Sequence, residues 1–326
     1  MTDVRVLSEE EIDDLLSLPE LLSVVEEAFL ADGRGETVRP DRPHFPVGEG
    51  LRGDDPLGTG LTMPAYVHGR EHYATKLASV HPGNADRGLP TVNAQIALTD
   101  AETGQPGAYM AGTLVTNART GCIGGVAARA LVEGEIDLGV IGAGAQARWQ
   151  SRAIAAGSEV ASIRIYSPSD SKFDCATDLR EGLGIPAEAV DSPDEAVREA
   201  DVVVTATTAT EPVFPGEALS AGTVVIAVGA FSAEMCEIDS ETVDRAAAVI
   251  ADVPEEVVET GDIRGTGLAP EDLVPLSDVL AGRWERGSNE EVVLVESVGS
   301  AILDAAAAEH LYDRAVEADV GTLVTL

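Results

Sequence analysis

The sequence predicts an α/β chain in which a doubly wound parallel sheet is joined to an α+β domain. Three observations carry the prediction. From Leu138 onward, short uncharged strands alternate with helical stretches, and strands apolar along their whole length belong to a parallel sheet covered on both faces. Before residue 116, strand-like runs follow one another directly with turn clusters between them, the mark of antiparallel pairing. At 326 residues the chain is longer than one ordinary core and comfortable as two.

In chain order, residues 19–32 read as an amphipathic helix that opens at Pro19, where a missing N–H costs nothing. Residues 33–60 are rich in proline and glycine and read as loop. Strands follow at Leu61–His68, Tyr73–Val80, Val92–Leu98 and Gly107–Met110, with turns such as His81-Pro82-Gly83-Asn84 between them. Residues 116–133 form a helix of small residues suited to close packing. The parallel strands are Leu138–Ile141, Ser162–Tyr166, Val202–Thr205, Val224–Val228 and Ala247–Ala251, and Val298–Ala318 is helical again. The expected domains are 1–118 with 300–326, for substrate binding and dimerisation, and 119–299, for dinucleotide binding.

Composition narrows the function. The chain carries 57 Asp+Glu against 21 Lys+Arg, a net charge of -36, yet 44% of its residues are hydrophobic. The acids are spread evenly, so the chain reads as a globular protein rather than a disordered tail. Lysine occurs only at Lys76 and Lys172. An acidic, lysine-poor chain suits a halophile's salt-rich cytosol, where cations screen its self-repulsion. Such a field excludes nucleic acid as a partner. The start Met1-Thr2-Asp3-Val4-Arg5 opens no signal peptide, and apolar runs such as Ala221–Phe231 fall far short of the ~20 residues of a membrane span, so a cytoplasmic location is expected. Cys122, Cys175 and Cys236 form no C-x-x-C pair and read as buried free thiols.

The most informative motif is Gly142-Ala143-Gly144-Ala145-Gln146-Ala147, after one strand and before a helix. Gly142 permits the tight turn, Gly144 lets a pyrophosphate approach the backbone, and Ala147 allows the helix to pack closely on the strand. The phosphates then sit on the helix N-terminus. This is the fingerprint of a Rossmann domain binding a nicotinamide dinucleotide. A carboxylate at the end of the second strand would bind the ribose and repel a 2′-phosphate. Here that place holds Ser167, with Lys172 and Arg148 as possible charge partners, so NADP is expected over NAD.

The first domain supplies a second constellation. Lys76 lies inside the apolar strand Tyr73–Val80. A snorkelling edge lysine is the plain alternative to a buried lysine used for proton transfer. Arg119 opens the Ala/Gly-rich helix, either as a surface ion-pair partner or as a bidentate clamp on a carboxylate or phosphate. His68 and His72 have metal-like spacing, but Gly69 between them reads as a hairpin turn and no third ligand is evident, so no metal is expected. His81, before a proline, reads as a turn residue.

These blocks together resemble the ornithine cyclodeaminase/mu-crystallin family over essentially the whole chain. The resemblance rests on Met63-Pro64-Ala65-Tyr66, Lys76-Leu77, His81 to Asn84, Gly88 to Val92, Asn117 to Thr120, Gly142 to Arg148, Val228-Gly229-Ala230 and Ser297-Val298-Gly299, in that order. It implies a dimer, with the N-terminal domain of each chain joined by the last helix and strand. It implies that Lys76 moves the proton beside the substrate. It implies that Arg42 and Arg119 hold the substrate carboxylate, with Arg119 and Thr120 also near the cofactor. Ala145 and Gln146 would contact the pyrophosphate. Thr205, Ala206 and Thr207 would lie on the adenosine side, and Val228, Gly229, Ala230 and Gly299 around the nicotinamide.

Two departures bear on the reaction. The family's cyclodeaminases carry an aspartate where this chain has Phe231. They carry a glutamate, and the archaeal alanine dehydrogenase an arginine, where this chain has Leu61. The resemblance therefore implies an NAD(P)-dependent oxidoreductase acting on a small amino or imino acid. The alternatives are an ornithine cyclodeaminase, with Glu234 in place of the missing aspartate, and a non-catalytic NADP-binding protein of the crystallin kind.

Overall fold

A computed structural model describes residues 3–326, apart from the side chains of residues 85 and 86. The chain forms two compact units. One comprises residues up to Ser17, 34–119 and 301–326; the other comprises 18–33 and 120–300. The helix Leu18–Gly33, placed by sequence order with the first domain, belongs to the second unit. An amphipathic helix follows its apolar face, and this one packs on the helices Ala145–Gly157 and Leu276–Leu280. Leu22 fills the notch left by Gly125 and Gly157.

The first unit is built on one sheet. Its strand order is Thr322–Thr325, Asp3–Leu7, Pro106–Ala111, Val92–Asp100, His72–Val80, Gly58–Val67 and Thr37–Val38, with His44–Val47 also paired along Gly58–Val67. All neighbours are antiparallel except Asp3–Leu7 with Pro106–Ala111. Alternation along the strands sends Met63, Ala74, Ile96, Leu98 and Met110 into the core. The helix Ala301–Glu317 packs across the three strands that carry most of these residues. Four strands of this unit escape the sequence pattern, the two-residue Thr37–Val38 among them. Asp3–Leu7 and Thr322–Thr325 are short and pair with each other at the edge. His44–Val47 hides in the Pro/Gly-rich stretch, where Pro46 marks an edge strand.

The second unit holds a parallel sheet in the order Ala187–Ala189, Val160–Tyr166, Ile136–Ile141, Val202–Thr205, Val224–Ala227, Val292–Glu296, Ala246–Ala251 and Val274–Pro275. Every pair is parallel. The order reverses between Ile136–Ile141 and Val202–Thr205. That reversal is the switch point at which such sheets bind ligands, beyond the carboxyl ends of the strands. Val292–Glu296, absent from the sequence reading, is a central strand: Val293, Leu294 and Val295 are fully buried beside Val224–Ala227. The helix Gly112–Leu131 crosses from one unit to the other. Its glycines permit close approach: a Cβ on Gly121 would lie 2.6 Å from the Trp149 carbonyl oxygen.

Candidate active site

The first unit gathers its charges around one carboxylate. Lys76 points from its strand into the buried face of the sheet and donates from Nζ to Asp304 Oδ2 at 2.6 Å. Arg119 donates from Nε to Asp304 Oδ1 at 2.8 Å and from Nη2 to Oδ2 at 3.4 Å. Thr116, one turn before Arg119, reaches Oδ1 at 3.5 Å. Lys76, Arg119 and Asp304 are all sealed from solvent. The side-on edge of Arg119, expected as a clamp on a ligand, therefore already holds Asp304. Arg119 Nη1 remains buried with no hydrogen-bond partner. Burial pushes the Lys76 ammonium down to about 8; Asp304 opposes the shift, while Arg119 and Arg42 add to it. Burial alone would raise the Asp304 carboxyl, but Arg119 and Lys76 outweigh it and hold the group below its ordinary value. Arg42 precedes the strand His44–Val47, whose His44 pairs with Leu61; on the next strand Met63 pairs with Lys76, so Leu61 shares the Lys76 face. Lys76 and Arg119 face one carboxylate here, with Arg42 near enough to act on Lys76, a set suited to hold a carboxylate and move a proton.

The second unit places its motif residues in sheet order at the carboxyl ends of five neighbouring strands. These are Ser167, Gly142, Thr205 with Ala206 and Thr207, Val228 with Gly229 and Ala230, and Gly299. Gly142 has φ +117°, and a Cβ there would sit 2.4 Å from the Ala206 carbonyl oxygen. A Cβ on Gly144 would meet nothing within 4 Å. Gly144 caps the helix Ala145–Gly157 without a side-chain bond, and Ala147 is fully buried beneath it. An open cradle at a helix N-terminus without a side-chain cap has room for a pyrophosphate. Thr120, in the next unit segment after Arg119, accepts at its carbonyl from Gln150 Nε2 at 2.9 Å.

A buried carboxylate set holds these strand ends in place. Glu237 accepts from Thr205 Oγ1 at 2.9 Å, Thr207 N at 2.6 Å and Gly229 N at 2.8 Å. Asp252 accepts from Ser297 Oγ at 2.7 Å and Gly299 N at 2.8 Å. Asp262 accepts from the amides of Glu237 and Ile238 at 2.6 and 2.8 Å. Glu296 completes the set. Burial, with Asp262, Glu237 and Asp252 close by, pushes its carboxyl well above the ordinary value.

The family model for the ornithine cyclodeaminase/mu-crystallin family matches residues 2–319. The chain belongs to this family. It is 33% identical to a Delta(1)-pyrroline-2-carboxylate reductase of Bacillus cereus, over 98% of this chain and 99% of the relative. It is also 33% identical to an alanine dehydrogenase of Archaeoglobus fulgidus, over 99% and 98% of the two chains. The solved Delta(1)-pyrroline-2-carboxylate reductase of Thermococcus litoralis, in complex with NADH and L-proline, superposes with a TM-score of 0.92 at 34% identity, covering 98% and 100% of the two chains. An archaeal alanine dehydrogenase dimer with bound NAD superposes with a TM-score of 0.91 at 31% identity over the whole of both chains.

Several other side chains singled out in the sequence have partners of their own. Lys172 donates to the Val190 carbonyl at 2.7 Å and pairs with Asp191 at 3.6 Å, and Arg148 donates to Asp178 at 2.8 Å. Both expected phosphate partners thus already hold acceptors of the protein, and Arg148 Nη1 also donates to the Gly144 carbonyl at 3.3 Å within the glycine loop. Ser167 instead joins a hydroxyl chain with Ser169 and Ser171 at 3.3 and 2.6 Å. His68 lies at a tilt against the Tyr66 ring, whereas His72 meets Glu309 at 3.3 Å; among the described residues no His/Cys/Asp/Glu group is arranged to hold a metal. His81 bonds the Leu57 carbonyl at 3.2 Å. Cys122 and Cys175 are buried free thiols, but Cys236 is half-buried. Phe231 is exposed on its loop, and Glu234 accepts from Ser232 Oγ at 2.9 Å. The residue sequence reasoning missed is Asp304. The signal was there: one acid in the run Ala301-Ile302-Leu303-Asp304-Ala305-Ala306, on the face that an amphipathic helix buries.

Proposed function

We propose that this chain reduces the C=N bond of a small imino acid with a nicotinamide dinucleotide. The observation that carries the reading is the sealed Lys76–Asp304–Arg119 cluster. Arg42 and Arg119 Nη1 hold the substrate carboxylate, and Lys76 Nζ gives its proton to the imine nitrogen and is left neutral. Bound NAD(P)H supplies the hydride that the imine carbon accepts. Gly142, Gly144 and the helix N-terminus carry the pyrophosphate, and Thr205–Thr207, Val228–Ala230 and Gly299 line the path of the dinucleotide along the strand ends. Leu61 and Phe231 put no charge where a distal ammonium would need one, so the favoured body is a plain hydrocarbon, as in a cyclic imino acid or alanine. The relatives named pyrroline-2-carboxylate reductase and alanine dehydrogenase support this class.

Four finer points belong to the same proposal. Ser167 lets the enzyme take NADP at least as well as NAD, since no carboxylate at that position repels a 2′-phosphate; with Lys172 and Arg148 engaged, the discrimination is small. The chain acts as a homodimer through the open face of the first unit's sheet, where Val6, Tyr73, Leu77 and Tyr109 are exposed; the related alanine dehydrogenase is a dimer. The two units serve substrate and cofactor respectively. The protein works in the cytosol of a halophile, as its charge implies. No helix among the described residues is long and apolar enough to cross a membrane.

The test is a substrate screen in molar KCl with NADH and NADPH. It covers pyrroline-2-carboxylate, piperideine-2-carboxylate, pyruvate with ammonia, and ornithine. Oxidation of reduced cofactor with an imino acid is expected. Proline formation from ornithine without net cofactor use, abolished by Glu234→Gln, would reassign the chain to the lyases. Cofactor binding with no turnover of any of the four would make it a crystallin-like binder.

A further inference from the structure

We propose that Asp304 is a positioning residue for the reaction, one that aims Lys76 and keeps its proton in place while turning Arg119 so that Nη1 faces the substrate. The inference rests on the reading of Lys76 as the proton donor given above.

The geometry leaves Asp304 no other task. Its two oxygens accept from Lys76 Nζ, Arg119 Nε, Arg119 Nη2 and Thr116 Oγ1. A carboxylate has about four acceptor sites, so these donors saturate it and it does not touch the substrate itself. It acts through its partners. Lysine has a long arm with many rotamers, and a 2.6 Å bond to a carboxylate fixed on the packed helix Ala301–Glu317 selects one of them. Asp304 spans both Nε and Nη2 of Arg119, which fixes the plane of the guanidinium and leaves Nη1 as the buried donor without a partner.

The charges that act on Lys76 come from three elements: Asp304 from the C-terminal helix, Arg119 from the helix Gly112–Leu131, and Arg42 from the segment before His44. Of these only Asp304 is an anion. Burial and two arginines all work to strip the proton from Lys76, and Asp304 alone opposes them. Removing its charge without changing its shape must therefore weaken the acid where the substrate needs one.

The test variant is Asp304→Asn, assayed as kcat/KM for imine reduction across pH, with NADH binding followed by fluorescence. The parent enzyme loses rate as pH rises past about 8, where Lys76 gives up its proton. In Asp304→Asn that limb moves down by about one pH unit or more, so the roughly tenfold loss at pH 8 is recovered at lower pH, while NADH binding stays unchanged. Asp304→Glu, which keeps the charge but shifts it by one methylene, restores the limb and lowers kcat. A uniform loss at every pH in Asp304→Asn, or an unmoved limb, overturns the proposal. If the Asn variant does not fold, the Glu variant decides, and an unchanged kcat there also overturns it. Lys76→Ala is run alongside. If it keeps the parent's activity, the proton-donor reading fails; if it loses activity, a negative result at position 304 falls on Asp304 alone.

Discussion

On the proposed mechanism, replacing Lys76 with alanine removes the general acid and leaves the dinucleotide cradle untouched, so its effect separates chemistry from binding. The side chain is sealed, and burial brings its proton loss to about pH 8. At pH 7 about nine-tenths of the lysine is protonated; at pH 9 about one-tenth is. Imine reduction needs the protonated form, so kcat/KM should fall about tenfold per pH unit above 8. Amine oxidation needs the neutral form and should rise up to 8 and then level. The mirrored limbs are the signature of one group working in both directions. Lys76→Ala should lower kcat by about 10²–10⁴-fold and leave the residual rate flat through this range, with NAD(P)H affinity within about twofold of the parent. The absorbance of reduced nicotinamide, followed from pH 6 to about pH 10 in molar KCl, measures all of this. Stability carries the same signature. The folded chain sheds this proton at about 8 and the unfolded chain near 10.5, so stability rises with pH across that window; the rise should be missing from melts of the alanine variant. A limb near pH 8 that persists in Lys76→Ala belongs to another group and refutes the assignment.

Three further outcomes follow from other parts of the molecule. With a net charge of -36, the fold should lose stability as KCl is withdrawn, because the screening length grows from about 3 Å at molar salt to about 30 Å in dilute buffer; equal melting temperatures in both media would rule out salt dependence. Ser167→Asp should shift the ratio of kcat/KM values toward NADH, by charge repulsion at the 2′-phosphate, and an unshifted ratio would mean that Ser167 lies away from the ribose. Glu296 carries a raised pKa, so its contribution to stability is full below the ordinary carboxylate range and is lost as pH rises toward its folded value; Glu296→Gln should flatten that decline in a pH series of melts, and a decline of the same slope in the variant would place the titrating group elsewhere.

What the sequence determined by itself is what local pattern and backbone geometry enforce. The glycine at 142 is legible because a turn with φ +117° disfavours any side chain, and the one at 144 because it leaves the space before the helix N-terminus open. The parallel strands are legible because a strand buried on both faces has to be apolar along its length, and Lys76 stood out because a charge inside the apolar run Tyr73–Val80 is costly without a partner. The tertiary structure decided what depends on long-range proximity. Asp304 lies 228 positions from Lys76, and nothing local ties the two; only the packing of Ala301–Glu317 across the sheet brings its carboxylate to Nζ. Arg119 was visible as a cation, but its orientation, with one edge committed to Asp304 and Nη1 left over, follows from that same packing. Lys172 and Arg148 looked equally available on paper and were claimed by Val190 and Asp178. The helix Leu18–Gly33 was legible as a helix, yet the unit it joins was set by the notch at Gly125 and Gly157 into which Leu22 fits, a shape formed only once those segments meet.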